Sequence, residues 1–434
     1  MPLSSFARAP ASAVAERSVP DDVARLVARH AFGWLVAANG VGVWLAVVLL
    51  WPALGDAIAP LTYGRWVPLH LDWQLYGWCA LPLVGALLAW CLEERHPHAL
   101  AHARVVLGTW SLALAAGGLA WLGGQTSGKL FLDWHGWTRP LLPVAMLVLW
   151  TVLAAHATWS AGRMRAGERM VHVAVLAALV AVPPLFYWAA GREVYPAVNP
   201  DSGGATGAAL LGSTLGVVAI FGLLPVMLRV PPAPGPRRSR FGRSGFFWGF
   251  FAASAVAYAI IDHGNASHHA PSQIVALGLL LAWVPALWIF GRGFAWSERA
   301  RPWLRAAAAW WLLLVVTGWV TFLPGVSERL KFTNALVAHA HLAMAGLVTS
   351  VNGVILHTLA RGRLRTSRGS FWLWQGGCAL HVAVLLILGV LENDAAGALF
   401  LSAGWTQGLF GVRLAAGVTM GLASVQWLME TRHT

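Results

Sequence analysis

The chain alternates long apolar runs with short polar connections from end to end. Reading runs of about 18–25 residues as membrane spans, the pattern predicts twelve helices, at 33–53, 66–92, 103–123, 140–160, 171–190, 205–228, 245–262, 272–291, 303–323, 332–360, 370–391 and 406–430. None of the connections has the length of a soluble domain. The longest on the basic side, PPAPGPRRSRFGRSG (231–245), reads as a solvated loop at an anionic membrane surface. The fold class expected is therefore an all-α polytopic membrane protein, with a cytoplasmic N-terminal segment 1–32 followed by a single twelve-helix transmembrane domain, 33–430.

Composition agrees: 58% of the 434 residues are hydrophobic and 11% charged, outside the range of soluble domains. The net charge of +13 would suit nucleic acid, but its placement follows topology and excludes that class. Of the 30 Lys and Arg residues, only Arg65, Lys129, Arg139, Arg192, Arg329, Lys331 and Arg413 fall on one side of the predicted bundle. All the others fall at the termini and in the even-numbered connections, which is the positive-inside pattern. Both termini are thus expected in the cytoplasm. No apolar stretch with a small-residue cleavage site opens the chain, so no signal peptide is expected. Cys79, Cys91 and Cys378 have neither CxxC nor CxxCH spacing, which argues against a disulfide framework and covalent haem. Trp66, Trp73, Trp134, Trp137 and Trp405 flank span ends, where interfacial anchors are expected.

Candidate chemistry lies in AHAHLAMAG, residues 338–346. At about 100° per residue, His339 and His341 leave one helix in nearly opposite directions. They cannot share a metal, so they serve two metals or are two core histidines bonded to neighbouring helices. Topology supplies depth. His70 lies one or two turns below the outer surface, His339 and His341 two to three turns, and His263, His268 and His269 at the outer end of the seventh span. His30, His96, His98, His102, His156, His172, His357 and His433 are expected at the cytoplasmic surface as solvated or lipid-facing residues. His135 and His381 have no evident partner. A bis-histidine haem needs imidazoles from two helices at one depth, and His70 with either His341 or His339 qualifies. The member left over would face a second haem. Asp, Glu and Lys are nearly absent from mid-span, Glu193, Asp201, Glu392 and Asp394 being on the outer side, so no strong proton pump is expected.

At these residues the chain resembles subunit I of the haem-copper oxidase superfamily, most closely its C-type (cbb-type) branch. YGRWVPLH (63–70) looks like the YGRLRPLH segment of that branch, and KFTNALVAHAHLAMAG (331–346) like its FTxxxVGHxHxG segment. The resemblance implies that His70 and His341 are axial ligands of a low-spin haem b, that His339 is the proximal ligand of a high-spin haem, and that Arg413 sits near the haem propionates. It also exposes a departure. Ala205 stands where the family has a copper-ligating histidine in the sixth span, and Asp262-His263-Gly264 stands in place of Pro-His-His in the seventh. Tyr258 falls close to, but out of register with, the branch's cross-linked tyrosine; it and His339 are the catalytic candidates. A normal copper site is not expected. Asp262, His263, His268 and His269 are the residues available for a displaced second metal.

What the resemblance implies is a membrane oxidoreductase, oxidase-like or nitric oxide reductase-like, in the bacterial cytoplasmic membrane and its lipid. It would pass electrons from a cytochrome c-type or other redox partner subunit to a small gaseous substrate. Two alternatives stay open: a two-haem electron-transfer or gas-sensing subunit without turnover, and a haem-free transporter on the same scaffold.

Overall fold

The computed structural model describes residues 21–92, 96–194, 206–235, 237–263, 266–394 and 404–432. Its long helices are α1 (Asp21–Leu50), α2 (Tyr63–Cys91), α3 (Ala99–Leu122), α4 (Gly136–Arg163), α5 (Ala166–Ala189), α6 (Gly207–Met227), α7 (Arg237–Ile260), α8 (Pro271–Gly291), α9 (Arg301–Thr321), α10 (Asn334–Leu359), α11 (Arg368–Asp394) and α12 (Gly404–Glu430). Among the described residues, all of these but α7 are long and apolar enough to cross a membrane, which makes eleven where the apolar pattern predicts twelve. α7 has the length, at 24 residues, but opens on RRSRFGRSG, and those arginines dilute its hydropathy. α1 begins at Asp21, well before the apolar run at 33. Val23, Ala24, Val27 and Ala28 bury one face of that extension, and Asp21 and Asp22 put negative charge at its N-terminus, where the helix dipole favours it.

Both ends of the described chain meet one connection. Arg363, between α10 and α11, pairs with Asp21, and the Ser367 amide donates to Glu430 at 3.2 Å. Arg299, between α8 and α9, donates to the carbonyls of Gly362 and, at 3.0 Å, Leu364. The α8–α9 and α10–α11 connections and both ends of the described chain thus meet at one end of the bundle.

α2 and α10 are its centre. In their most apolar windows 67% and 72% of residues are buried, against 17–56% in the other spans. Each helix is also interrupted by a widened turn: Trp73–Cys79 in α2 and Leu342–Val348 in α10 are π-helical, with Ala80 N bonded to Leu75 O and Thr349 N to Met344 O. Widened turns leave carbonyls open to side-chain donors, and a bilayer core has no water to satisfy them. Here Trp110 Nε1 donates to Tyr76 O at 2.8 Å, Asn352 Nδ2 to Trp78 O at 2.9 Å, and Trp374 Nε1 to Ala345 O at 2.9 Å. Trp78 Nε1 completes the seam between the two helices by donating to Thr349 Oγ1 at 2.8 Å. This corrects the expectation of an interfacial anchor for two of the five tryptophans at span ends. Trp137 and Trp405 are exposed, but Trp134 is fully buried and Trp73 donates to Leu114 O from inside the bundle. A donor on a large apolar body is what a water-free interior selects.

Small residues set the close approaches. A Cβ at Gly389 of α11 would fall on the Ala335 amide of α10 and lie 2.6 Å from the Ala335 Cβ, whereas one at Gly376 would meet nothing within 4 Å. Backbone cannot move aside as a flexible side chain can. Gly389→Ala is therefore expected to destabilise the protein by about 1–3 kcal/mol, and Gly376→Ala to be neutral or slightly stabilising. Thermal unfolding of the two variants in detergent checks the contrast.

Candidate functional site

His70 is the eighth residue of α2 and His341 the eighth of α10, so each lies about 10 Å along its helix from the same end. Their ring centres are 6.5 Å apart and their planes 27° from parallel. Nδ1 of His70 lies 2.9 Å from Ala38 O of α1, and Nδ1 of His341 lies 2.8 Å from Val337 O, one turn back. A carbonyl only accepts, so in both rings Nδ1 carries the proton and Nε2 of the neutral ring keeps its lone pair. This is the tautomer a metal-ligating histidine needs, and fixing it through the other nitrogen is how ligand orientation is held. A metal held midway between two imidazoles sets their centres about 6 Å apart, which the observed separation matches.

The surroundings are cut to the rings. Gly42 of α1 faces His70, and a Cβ there would come within 2.6 Å of the imidazole. Gln74, one turn beyond His70, donates to Asn39 Oδ1 at 2.8 Å. Around the pair several buried polar atoms find no hydrogen-bond partner among the described residues: the donors Asn39 Nδ2, Trp44 Nε1 and Arg413 Nε, and both nitrogens of His381, of which a neutral ring donates one. Arg413 lies within electrostatic reach of Tyr63, His70, His341, His381 and Glu392. Unsatisfied donors beside two free imidazole lone pairs fit a flat metal-bearing group with an anionic edge, since leaving them bare costs about 1–3 kcal/mol each.

His339 points the other way, as the two-residue spacing predicts. It packs against α9, with Thr317 Oγ1 3.5 Å from its Nδ1, the Phe322 ring 6.0 Å away, and Gly318 so placed that a Cβ would meet the imidazole at 2.8 Å. At the start of α10, Glu392 of α11 accepts from the Asn334 amide at 2.8 Å and from its side chain, which fixes the histidine turn against α11.

The tentative second-metal residues separate into two groups. His263 lies against Tyr258 at 4.6 Å, and Tyr258 lies over Gly212 of α6. Asp262 contributes its carbonyl to Gln273 Nε2 at 2.9 Å. His268 and His269 instead converge on Glu328, beyond α9, each with Nε2 2.7 Å from the same carboxylate oxygen. Glu328 is held ionised down to about pH 2 by hydrogen bonds from its own amide, from His268 and from His269. Its contribution is thus full above the ordinary glutamate value of 4.5 and is lost progressively as the pH falls from there to about 2. Among the described residues no hydrogen bond or ring contact joins Tyr258 or His263 to His339. Ala205, Gly264 and Asp201 lie outside the described residues.

The sequence passes over two groups that the fold brings in. His381, expected to lack a partner, has its ring centre 4.5 Å from that of His341. Asp72, two residues after His70, is fully buried in a span expected to hold almost no such group; neither carboxylate oxygen has a partner among the described residues, and the equally unpaired Trp134 Nε1 is its neighbouring donor. A short spacing between two histidines on one helix carries a signal, but a lone histidine on α11 or a lone aspartate on α2 does not. An apolar pocket of about 410 Å³ lies elsewhere, between α6, α8, α9 and α10, lined by Phe221, Trp288, Trp311 and Val351 among others. It has no titratable lining, so the chemistry belongs to the histidines.

No protein-family model matches the chain, and no curated protein does. Among solved structures, the chain is similar to a chain of a heme-copper terminal oxidase dimer determined by cryo-EM. Identity is 13%, the TM-score is 0.49, and the match covers 94% of this chain and 83% of that one.

The Glu328 contacts tie the α7–α8 connection to the α9–α10 connection. Glu328→Ala is expected to speed protease cleavage within 262–270 several-fold at neutral pH while the spans stay protected; limited proteolysis followed by mass spectrometry measures it.

Proposed function

We propose that this chain is the haem-bearing subunit of a membrane oxidoreductase of the haem-copper oxidase kind. The observation that carries the reading is the His70–His341 gap: two imidazoles from the two central helices, each with its proton fixed on Nδ1, at the separation of a bis-imidazole metal. His70 and His341 would hold a low-spin haem b, His339 a high-spin haem, and Arg413 the propionate edge of the haem group. Such groups supply one-electron transfer and, where one axial position is open, binding of a small molecule such as dioxygen or nitric oxide. The chain's part is to fix tautomers through Ala38 and Val337, to give room through Gly42 and Gly318, and to exclude water with the buried tryptophans. A redox partner subunit would deliver electrons at the outer face, since the chain carries no CxxCH. The positive-inside charge pattern favours a twelve-span bundle with both termini in the cytoplasm of a bacterial inner membrane.

A second reading is a two-haem electron-transfer or gas-sensing subunit without turnover. It is favoured by one observation: the second-metal candidates part company, His263 lying against Tyr258 while His268 and His269 form a possible metal-ligating group with Glu328 instead.

A pyridine haemochrome assay with a reduced-minus-oxidised spectrum is expected to give two b-type haems per chain; none would end both readings. His70→Ala and His341→Ala are each expected to abolish the low-spin signal, while His339→Ala spares it and abolishes carbon monoxide binding. Loss of the low-spin signal in His339→Ala but not in His341→Ala would reverse the assignment. Gly42→Ala, which pushes on the His70 ring, is expected to lower low-spin haem occupancy several-fold without unfolding the bundle. Carbon monoxide binding without turnover on dioxygen or nitric oxide would favour the second reading.

A further inference from the structure

Where α3 begins and α4 ends, the fold assembles a group of histidines far along the chain from the site already described. His96 lies in the α2–α3 connection, His102 in the first turn of α3 and His156 in α4, and each offers a ring nitrogen within 4.8 Å of those of the other two. His102 Nδ1 is 2.9 Å from His156 Nε2, and the His96 ring centre is 4.3 Å from that of His156 and 5.5 Å from that of His102. A fourth imidazole, His98, is 6.0 Å from both His96 and His102. Trp159 closes one side, edge-on to His96 at 4.8 Å, with Arg163 stacked over its indole at 3.9 Å.

The expectation that these histidines are solvated surface residues does not hold for the trio. His156 is 1% exposed, and its Nδ1 is buried with no hydrogen-bond partner among the described residues. His102 and His156 can satisfy one nitrogen each by bonding to one another, with one ring donating and the other accepting. Each of the three rings brings one nitrogen within 4.8 Å of the others, and His96 Nδ1 accepts from the His98 amide at 3.2 Å. A single ion could replace the hydrogen bond between His102 and His156 by taking one nitrogen from each ring.

We propose that His96, His102 and His156 form a binding site for a divalent transition-metal ion of the zinc class. Three imidazoles are a partial tetrahedral set whose fourth position is left for water or for His98. Imidazole donors suit zinc, copper and nickel, whereas magnesium and calcium require oxygen ligands, which the trio does not contain. The ion would join three separate segments, the α2–α3 connection, the start of α3 and the end of α4, at the end of the bundle expected to face the cytoplasm. Its role is that of a cross-link between them. None of these side chains touches His70, His339 or His341, so the site stands or falls independently of the haem reading.

The test uses the purified full-length chain, stripped with chelator, equilibrated with Zn²⁺ alone and dialysed before metal analysis. Two variants accompany it: His96→Gln/His102→Gln, which leaves the buried His156 in place, and His268→Gln/His269→Gln, which removes the outer histidine pair. Zinc is expected to bind the wild type and the outer variant alike, and the inner double variant at least about tenfold more weakly. Co²⁺ in place of Zn²⁺ should give the visible absorption of a tetrahedral site in the first two and not in the third. Zinc should also raise the thermal midpoint of the wild type but not of the inner variant, because an ion that binds only the folded state stabilises it. Failure of the wild type to retain zinc, or an inner double variant with wild-type zinc retention and cobalt spectrum, would overturn the proposal.

Discussion

Everything at the centre of this protein depends on the hydrogen-bonded seam between α2 and α10. Two apolar helices in a membrane gain little from the hydrophobic effect, because lipid tails are as apolar as the helices; close packing and polar contacts must hold them. The Trp78–Thr349 and Asn352–Trp78 bonds do this from positions that are almost completely buried. The seam lies just inward of His70 and His341, and it therefore fixes the distance between them. A shift of one helix along the other by a single turn, about 5 Å, would destroy the facing arrangement of the rings.

The second constraint is the supply of backbone acceptors to the rings. In water an imidazole finds partners anywhere. Here Ala38 O and Val337 O are chosen by the fold, and each choice also fixes which nitrogen carries the proton. The glycines opposite the rings work with the same end. Gly42 lets α1 approach closely enough for its carbonyl to reach His70, and Gly318 performs the corresponding service for His339 on α9. The contrast with the connections beyond α7 and α9 is plain: there Glu328, partly exposed, gathers two histidines with a charge instead of a carbonyl.

Much of this was legible in the residues themselves. Apolar runs located the helices, with α7 weakened by its arginines and α1 extended by an amphipathic stretch before the point where a hydropathy reading starts it. The spacing of His339 and His341 foretold opposite faces, and topology put His70 at their depth. What could not be read were contacts between residues with no local pattern. Nothing near His381 announces that α11 will bring it beside His341, and nothing in Glu328 announces two histidines some sixty residues earlier. Trp134 flanks a span end like any interfacial tryptophan, and only the path of the connection that carries it turns it inward. The trio His96, His102 and His156 was misjudged for a related reason: each is near a helix end, and exposure at a helix end depends on what the neighbouring helix covers.

The widened turns of α2 and α10 have an effect on how such chains are to be compared. A π-helical stretch accommodates extra residues within a helix whose ends stay where they are, so every side chain beyond it is rotated relative to the face that ordinary helical periodicity assigns. Residues before the stretch, among them His70 and His341, keep their phase; those after it, Thr349 and Asn352 among them, do not. A comparison that counts positions steadily along either helix will therefore align the histidines correctly and misplace the seam that supports them.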